Sequence, residues 1–299
     1  MSRRHLAMLL VLAALWGASF MFIKIGDREL QPITLVGFRM ALGALTLIPI
    51  VLVSVGARRT LRELRGAAWP LVVTGLLNSA IPIFAITWAE TRLDSGLTAI
   101  IQASAPLFTA LLALRFSQDQ RVRGSRLAGL VIGFAGVALL VGGRPSGQIA
   151  AALAVVFSAI CYAGAALYAG RRLGGVSPLV TALGTLTAAT LVTLPIGLFQ
   201  LPSQMTGWKV TASVLTLGIA GTGVAYVLYY GLISGAGASR AILITYLVPT
   251  FAVVYGALLL GEPVTAAAIG GLALVLAGVG LGTGAIRPGR SRRLASSET

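Results

Sequence analysis

Two carboxamides, Asn78 and Gln102, and three tyrosines, Tyr162, Tyr226 and Tyr246, stand inside otherwise apolar stretches of this chain. A buried amide or hydroxyl needs partners for its donors and acceptors. Trp16 and Phe20 add two large rings at comparable depth, and Pro82 follows Asn78 by one helical turn. Such groups suit recognition without covalent chemistry: rings stack on an apolar side chain, while amides and hydroxyls hydrogen-bond a polar end. Their plainer use is to bridge and pack neighbouring helices, and the residues alone leave both uses open.

Bond-making chemistry is poorly supplied. His5 is the one histidine and Cys161 the one cysteine, so no Ser/His/Asp set and no intramolecular disulfide can form. Cys161 reads as a small packing residue. No P-loop, phosphate-binding aspartate motif or metal-ligand spacing occurs. These absences point away from an enzyme, and no metal or cofactor is expected. The eight acids, Asp27, Glu29, Glu63, Glu90, Asp94, Asp119, Glu262 and Glu298, fall in loops, helix ends or the tail. No carboxylate lies at mid-membrane depth, which favours facilitated movement over ion coupling.

The elements that must position these groups are set by hydropathy. Of 299 residues, 57% are hydrophobic and 10% charged, with mean hydropathy +0.92, whereas soluble domains carry roughly 25% charged residues. Ten continuous apolar runs are long enough to cross hydrocarbon as helices. They cover residues 6–24, 33–55, 68–89, 95–115, 125–143, 148–170, 178–200, 209–232, 237–260 and 264–286. The first run could also be read as a signal peptide, but Lys24 follows without a small-residue cleavage site. With the N-terminus inside, 17 basic residues fall on the cytoplasmic side against 5 opposite, so both termini are expected in the cytoplasm. The net charge of +15 is thus a topology signal, with no nucleic-acid partner implied. Membrane lipid is the natural neighbour of the Arg287–Arg293 tail. Trp69, Trp88 and Trp208 sit near helix ends as interfacial belt residues.

The chain also repeats. Pro32 and Pro178 are separated by 146 residues, as are Pro49 and Pro195, while Ala105-Pro106-Leu107-Phe108 matches Val248-Pro249-Thr250-Phe251 at 143. Five helices per half is an odd number, so the second copy enters the membrane upside down. The expected architecture is an all-α membrane protein of two inverted five-helix repeats, 1–145 and 146–299, joined near Gly143-Arg144-Pro145-Ser146-Gly147. Two inverted halves can open a central site to each side in turn, which points to transport. Pro106 and Pro249 are candidate matched hinges, and Pro82 a third helix break, although each can be a simple kink. Arg39, the one basic residue within a span, is expected to snorkel outward or to pair with Glu90 or Asp94 rather than to bind a substrate carboxylate. Gly129-x-x-x-Gly133, Gly278-x-x-x-Gly282 and Gly280-x-x-x-Gly284 permit close helix contact, more simply inside one chain than between two, so a monomer or weak dimer is expected.

Leu15-Trp16-Gly17-Ala18-Ser19-Phe20, Phe38-Arg39, Ala105-Pro106-Leu107 and Leu260-Gly261-Glu262-Pro263 resemble the drug/metabolite transporter superfamily of EamA type, over nearly the whole chain. The resemblance implies two EamA repeats and a cavity lined by helices one, three, four, six, eight and nine. Within that superfamily the chain is similar to the bacterial aromatic amino-acid exporters, implying an inner-membrane exporter of aromatic or large apolar amino acids. Trp16, Phe20, Asn78, Pro82, Gln102, Tyr162, Tyr226 and Tyr246 would then line a cavity without fixed charge, and Pro106 and Pro249 would flex. Export of another metabolite, nucleoside or drug would share this topology; a receptor or membrane enzyme would need a signalling segment or reactive cluster. The family's Gly-Glu before helix five is replaced here by Ser117-Gln118-Asp119.

Overall fold

A computed structural model describes residues 1–116, 125–142, 145–241 and 243–282. Among them every regular element is helical. In chain order these are α1 (Arg3–Gly26), α2 (Pro32–Val55), α3 (Ala57–Gly66), α4 (Ala68–Gly75), α5 (Ile81–Glu90), α6 (Ser95–Gln102), α7 (Ala105–Phe116), α8 (Ser125–Val141) and α9 (Ser146–Arg172). The second half continues with α10 (Pro178–Leu198), α11 (Trp208–Gly218), α12 (Ala225–Ala236), α13 (Ala238–Ala241), α14 (Ile244–Leu260) and α15 (Ala266–Gly282). Ser2 starts α1 by accepting the His5 N–H. Pro32 and Pro178 begin α2 and α10, where a missing N–H breaks no hydrogen bond.

Seven helical stretches are long and apolar enough to cross a membrane. Leu127–Val141, Ile244–Leu260 and Ala266–Gly282 are apolar but shorter. Leu45, Val53, Val131, Leu191 and Leu258 point outward with no protein cover, a surface that only hydrocarbon solvates well. The chain is a multi-pass membrane protein, all-helical among the described residues.

Several spans are less regular than their hydropathy suggests. The third is interrupted between α4 and α5 by a π-helical turn, Leu76–Ala80, and another π turn, Ile219–Val224, joins α11 to α12. The fourth breaks between α6 and α7 at Ala103–Ser104, so Pro106 stands at the start of α7 rather than inside a continuous helix. The run at 237–260 is likewise divided into α13 and α14. The expected loop carrying Arg58, Arg59, Arg62 and Arg65 folds as the polar helix α3. There Glu63 accepts Arg59 Nε at 2.6 Å and the Ser177 N–H at 2.8 Å. Those two bonds, Arg59's first, hold its carboxyl below the usual carboxylate range. Ser117-Gln118-Asp119, Gly143-Arg144, Gly284 and the Arg-rich tail lie outside the described residues.

Helix packing is paired across the halves. α2 packs on α10 and α8 on α15, while α1 lies against α11, α12 and α14 and α9 against α5, α6 and α7. The first span of each half therefore rests on the third and fourth spans of the other. Gly37 and Gly197 let α2 and α10 touch backbone to backbone, and Thr34 Oγ1 donates to Gly197 O at 3.0 Å. The small-residue patterns of α8 and α15 meet each other: Gly278 lies on Gly133, and Gly129 on Gly282.

Candidate functional site

Each of the two π turns, which interrupt the third span of each half, has a local cause. Pro82 has no N–H to offer the carbonyl four residues back, and its ring crowds that turn; one added residue in the preceding turn relieves both. The second π turn contains no proline. Instead Thr222 Oγ1 donates to Leu217 O at 2.8 Å, occupying a carbonyl of the helical ladder, within the glycine-rich Ile219-Ala220-Gly221-Thr222-Gly223-Val224. The turns begin 143 residues apart, at Leu76 and Ile219, the offset of Pro106 and Pro249.

Asn78, in the first turn, donates from Nδ2 to Tyr226 OH at 3.2 Å, a contact between the two halves. Tyr226 stacks on Tyr230, ring centres 6.1 Å apart and 21° between planes. Tyr230 meets Tyr229 at 5.4 Å, and Tyr229 meets Trp16 at 5.3 Å. One aromatic wall thus runs from α12 to α1. Trp16, Tyr226, Tyr229 and Tyr230 are only half-buried, as is Gly164 on α9, with no atom within 4 Å of where its side chain would begin. These rings and this helix face keep accessible surface. Tyr162 of α9 completes the centre: it is packed between two core clusters, within electrostatic reach of Tyr226 and Arg39.

The other expected residues fall elsewhere. Phe20 is buried in the core formed with Ile86, Val214 and Ala252. Gln102, at the end of α6, accepts from Ser158 Oγ at 3.0 Å and ties α6 to α9. Tyr246 packs on the cluster of Ala103, Leu107 and Ala151, away from the Asn78 contact. Pro82 and Pro249 are buried within or at the start of their helices.

Arg39 corrects two expectations. It does not snorkel: it is 8% exposed, and its Nε donates to Thr222 Oγ1 at 3.0 Å. The site therefore carries a positive charge beside Tyr162 and Tyr226, with the expected partner Glu90 in electrostatic reach but not hydrogen-bonded to it. The glycines of α11 and the second π turn make room for this. A Cβ on Gly218 would come 3.3 Å from Arg39 O, and Gly223 faces Thr46. On the other half Gly75 lies against Thr185 O in the same way, and Thr185 stands 146 residues after Arg39. Thr222, missed in the sequence, follows Ser79 by 143 residues, so extending the repeat offset beyond the prolines would have found it.

A second polar cluster closes the end of the bundle bearing the 27–31 and 91–94 loops. Lys24 Nζ donates to Glu90 O at 2.5 Å and Leu93 O at 2.7 Å. The Glu90 carboxyl is fully buried, and neither its oxygens nor those of Asp27 have a hydrogen-bond partner among the described residues. Burial pushes Asp27 up to about 8 against the pull of Lys24, with Glu90 facing it from α5. A carboxyl whose folded pKa is raised stabilises the fold fully below its unfolded value and loses that contribution as pH rises through about 8. Asp27→Asn is accordingly expected to raise the thermal midpoint in detergent by a few degrees at pH 9 and by clearly less at pH 5, where only the lower part of that window has been crossed. An equal shift at both pH values would show that Asp27 does not ionise in place.

Broken helices meeting around buried polar groups, inside a lipid-facing shell, define a membrane transport protein. The chain belongs to the EamA-like transporter family, whose model matches residues 4–142 and 149–283. It is 27% identical over 270 residues to an uncharacterized transporter of Archaeoglobus fulgidus, covering 88% of this chain and 93% of that one. It is 28% identical over 264 residues to the uncharacterized inner membrane transporter YedA of Escherichia coli K12, covering 85% of this chain and 82% of YedA. A crystal structure of 20% sequence identity superposes with a TM-score of 0.68 over 96% of this chain and 99% of that chain, a likeness of fold.

Proposed function

We propose that this chain is an alternating-access exporter of the bacterial inner membrane, carrying amino acids with aromatic or large apolar side chains. In this reading ten spans form an inverted repeat with both termini cytoplasmic, and movement is facilitated, down the cargo's gradient. The observation that carries the proposal is the Asn78–Tyr226 contact. It joins two interrupted spans, one from each half, beside the aromatic wall of Trp16, Tyr229 and Tyr230. Reciprocal packing of each half's first span on the other's third and fourth supports the inverted arrangement, because a two-fold axis pairs contacts in this way. The rings suit an apolar side chain, and the amide and hydroxyls suit a polar backbone end. Pro106 and Pro249, each beside a helix break or within a span, are proposed as the flexing points.

Efflux of labelled phenylalanine, tryptophan and threonine from proteoliposomes tests the cargo. Saturable flux of the first two, faster than threonine, is expected; no saturable flux of any amino acid sinks the assignment. Accumulation driven by an imposed pH gradient alone would overturn the facilitated mechanism.

A further inference from the structure

Arg39 is a buried cation with unspent hydrogen-bonding capacity. It lies about 10 Å along α2 from Pro32, at 1.5 Å per residue. Its guanidinium stays charged under any physiological condition. Only Nε is engaged, by Thr222 Oγ1. The hydroxyl proton of Thr222 is committed to Leu217 O, so the oxygen presents a lone pair to Arg39 and fixes the plane of the guanidinium. The two terminal nitrogens donate to no described residue, and they are not among the buried polar atoms sealed without a partner. They therefore keep some accessible surface. No carboxylate of the described residues lies within ion-pair distance of Arg39.

A cation that served only to join α2 to the second π turn would not need to be a cation. Burying an ion without a hydrogen-bonded counter-ion is unfavourable, and a neutral donor could reach Thr222. Guanidinium differs in offering parallel N–H groups that match a planar anion on two oxygens. Tyr162, Tyr226 and the buried Glu90, which makes no hydrogen bond to it, are within electrostatic reach of the guanidinium, and behind Tyr226 stands the aromatic wall. The equivalent place in the opposite half holds no second charge, because Thr185 stands there and spends its hydroxyl on Ala182 O.

We infer that Arg39 anchors a carboxylate group of the cargo, held by its two terminal nitrogens with the cargo's apolar body directed along the tyrosines. The inference rests on the transport reading above and sharpens it. An anionic carboxylate is the recognised feature, whether or not the cargo also carries an amino group.

The test compares acids with their amides on the purified full chain in detergent, by ligand-induced shift of the unfolding midpoint titrated to an apparent affinity. The probes are phenylalanine against phenylalaninamide, phenylacetate against phenylacetamide, and phenyl phosphate. Wild type is expected to bind at least one acid about tenfold or more tightly than its amide. In Arg39→Gln that ratio should fall to near one, and Arg39→Lys should keep part of it. A purely structural Arg39 would change the midpoint of the unliganded protein but not the ratio. Equal binding of acids and amides by wild type, an undiminished ratio in Arg39→Gln, binding of phenyl phosphate alone, or binding of no probe each overturns the inference. If Arg39→Gln does not fold, the wild-type ratio and Arg39→Lys decide. Preference for phenylacetate without any binding of phenylalanine keeps the carboxylate anchor and removes the amino-acid cargo.

Discussion

Gly278→Ala is expected to lose most of its folded protein in detergent, and Gly278→Leu all of it. A Cβ at this position would strike the backbone of Gly133, its Cα and N, and the carbonyl of Gly129. Backbone atoms cannot step aside as a side-chain tip can, so α15 would have to withdraw from α8 along its length. Overpacking of ordinary cores costs roughly 1–3 kcal/mol, and this contact is tighter than side-chain packing. The withdrawal would also part Gly129 from Gly282. Lipid offers α8 and α15 no hydrophobic incentive to associate, so close backbone approach supplies much of what holds them. Gly270→Ala is the control, because a Cβ there meets only Leu139 Cδ2, at 3.9 Å. Size-exclusion profiles and thermal midpoints of the three variants check the claim. A Gly278→Ala protein as stable as Gly270→Ala would refute the packing.

That interface could be read in the sequence as a pattern but not as a pair. Gly-x-x-x-Gly states that a helix has a smooth face, and nothing in Gly129 or Gly278 names its partner; the repeat narrows the choice without making it. The spans were readable for a firmer reason, since hydrocarbon admits only continuous apolar helices. Their interruptions were not. A π turn inserts one residue without altering hydropathy, so Leu76–Ala80 and Ile219–Val224 leave no mark on an apolar profile. Asn78 and Tyr226 were readable as polar groups at depth, and the fold joins them across 148 residues. Arg39 was misread because its depth along α2 was known and its direction around α2 was not. Near a span's end, outward snorkelling and inward burial differ only in helix rotation, and the rotation is set by Gly218, Gly223 and Thr222, 183 residues away in the case of Thr222.

Release of the loop end of the bundle is expected when Glu262 is neutralised. Gly261 adopts a left-handed conformation, φ 69°, and ends α14 with the Glu262 N–H bonded back to Gly256 O at 3.0 Å. This turn throws the Glu262 carboxylate across the boundary between the halves onto the start of α6. It accepts the Ser95 N–H at 2.9 Å, the Gly96 N–H at 3.2 Å and Ser95 Oγ at 2.8 Å. Asp94, which precedes α6 and could cap it, does not. The helix N-terminus is thus capped by the opposite half, and separating the halves at this end uncaps it. Charged hydrogen bonds contribute about 1.5–3 kcal/mol each, so loss of the carboxylate should shift a closed-to-open equilibrium by more than about tenfold. Leu97, 5% exposed and one turn into α6, reports the opening. With Cys161→Ala removing the native thiol, Leu97→Cys should react with a membrane-impermeant maleimide slowly in the parent protein. Glu262→Gln should label faster, since its amide nitrogen accepts no backbone N–H, and Glu262→Ala fastest. Flux should fall in the same order, because an exporter whose far end cannot close equilibrates its site with one side only. Equal labelling rates in parent and Glu262→Ala would mean that the halves are held elsewhere at this end, with Thr34 on the Gly197 and Gln200 carbonyls and Glu29 on the Gly207 N–H the contacts left to hold them.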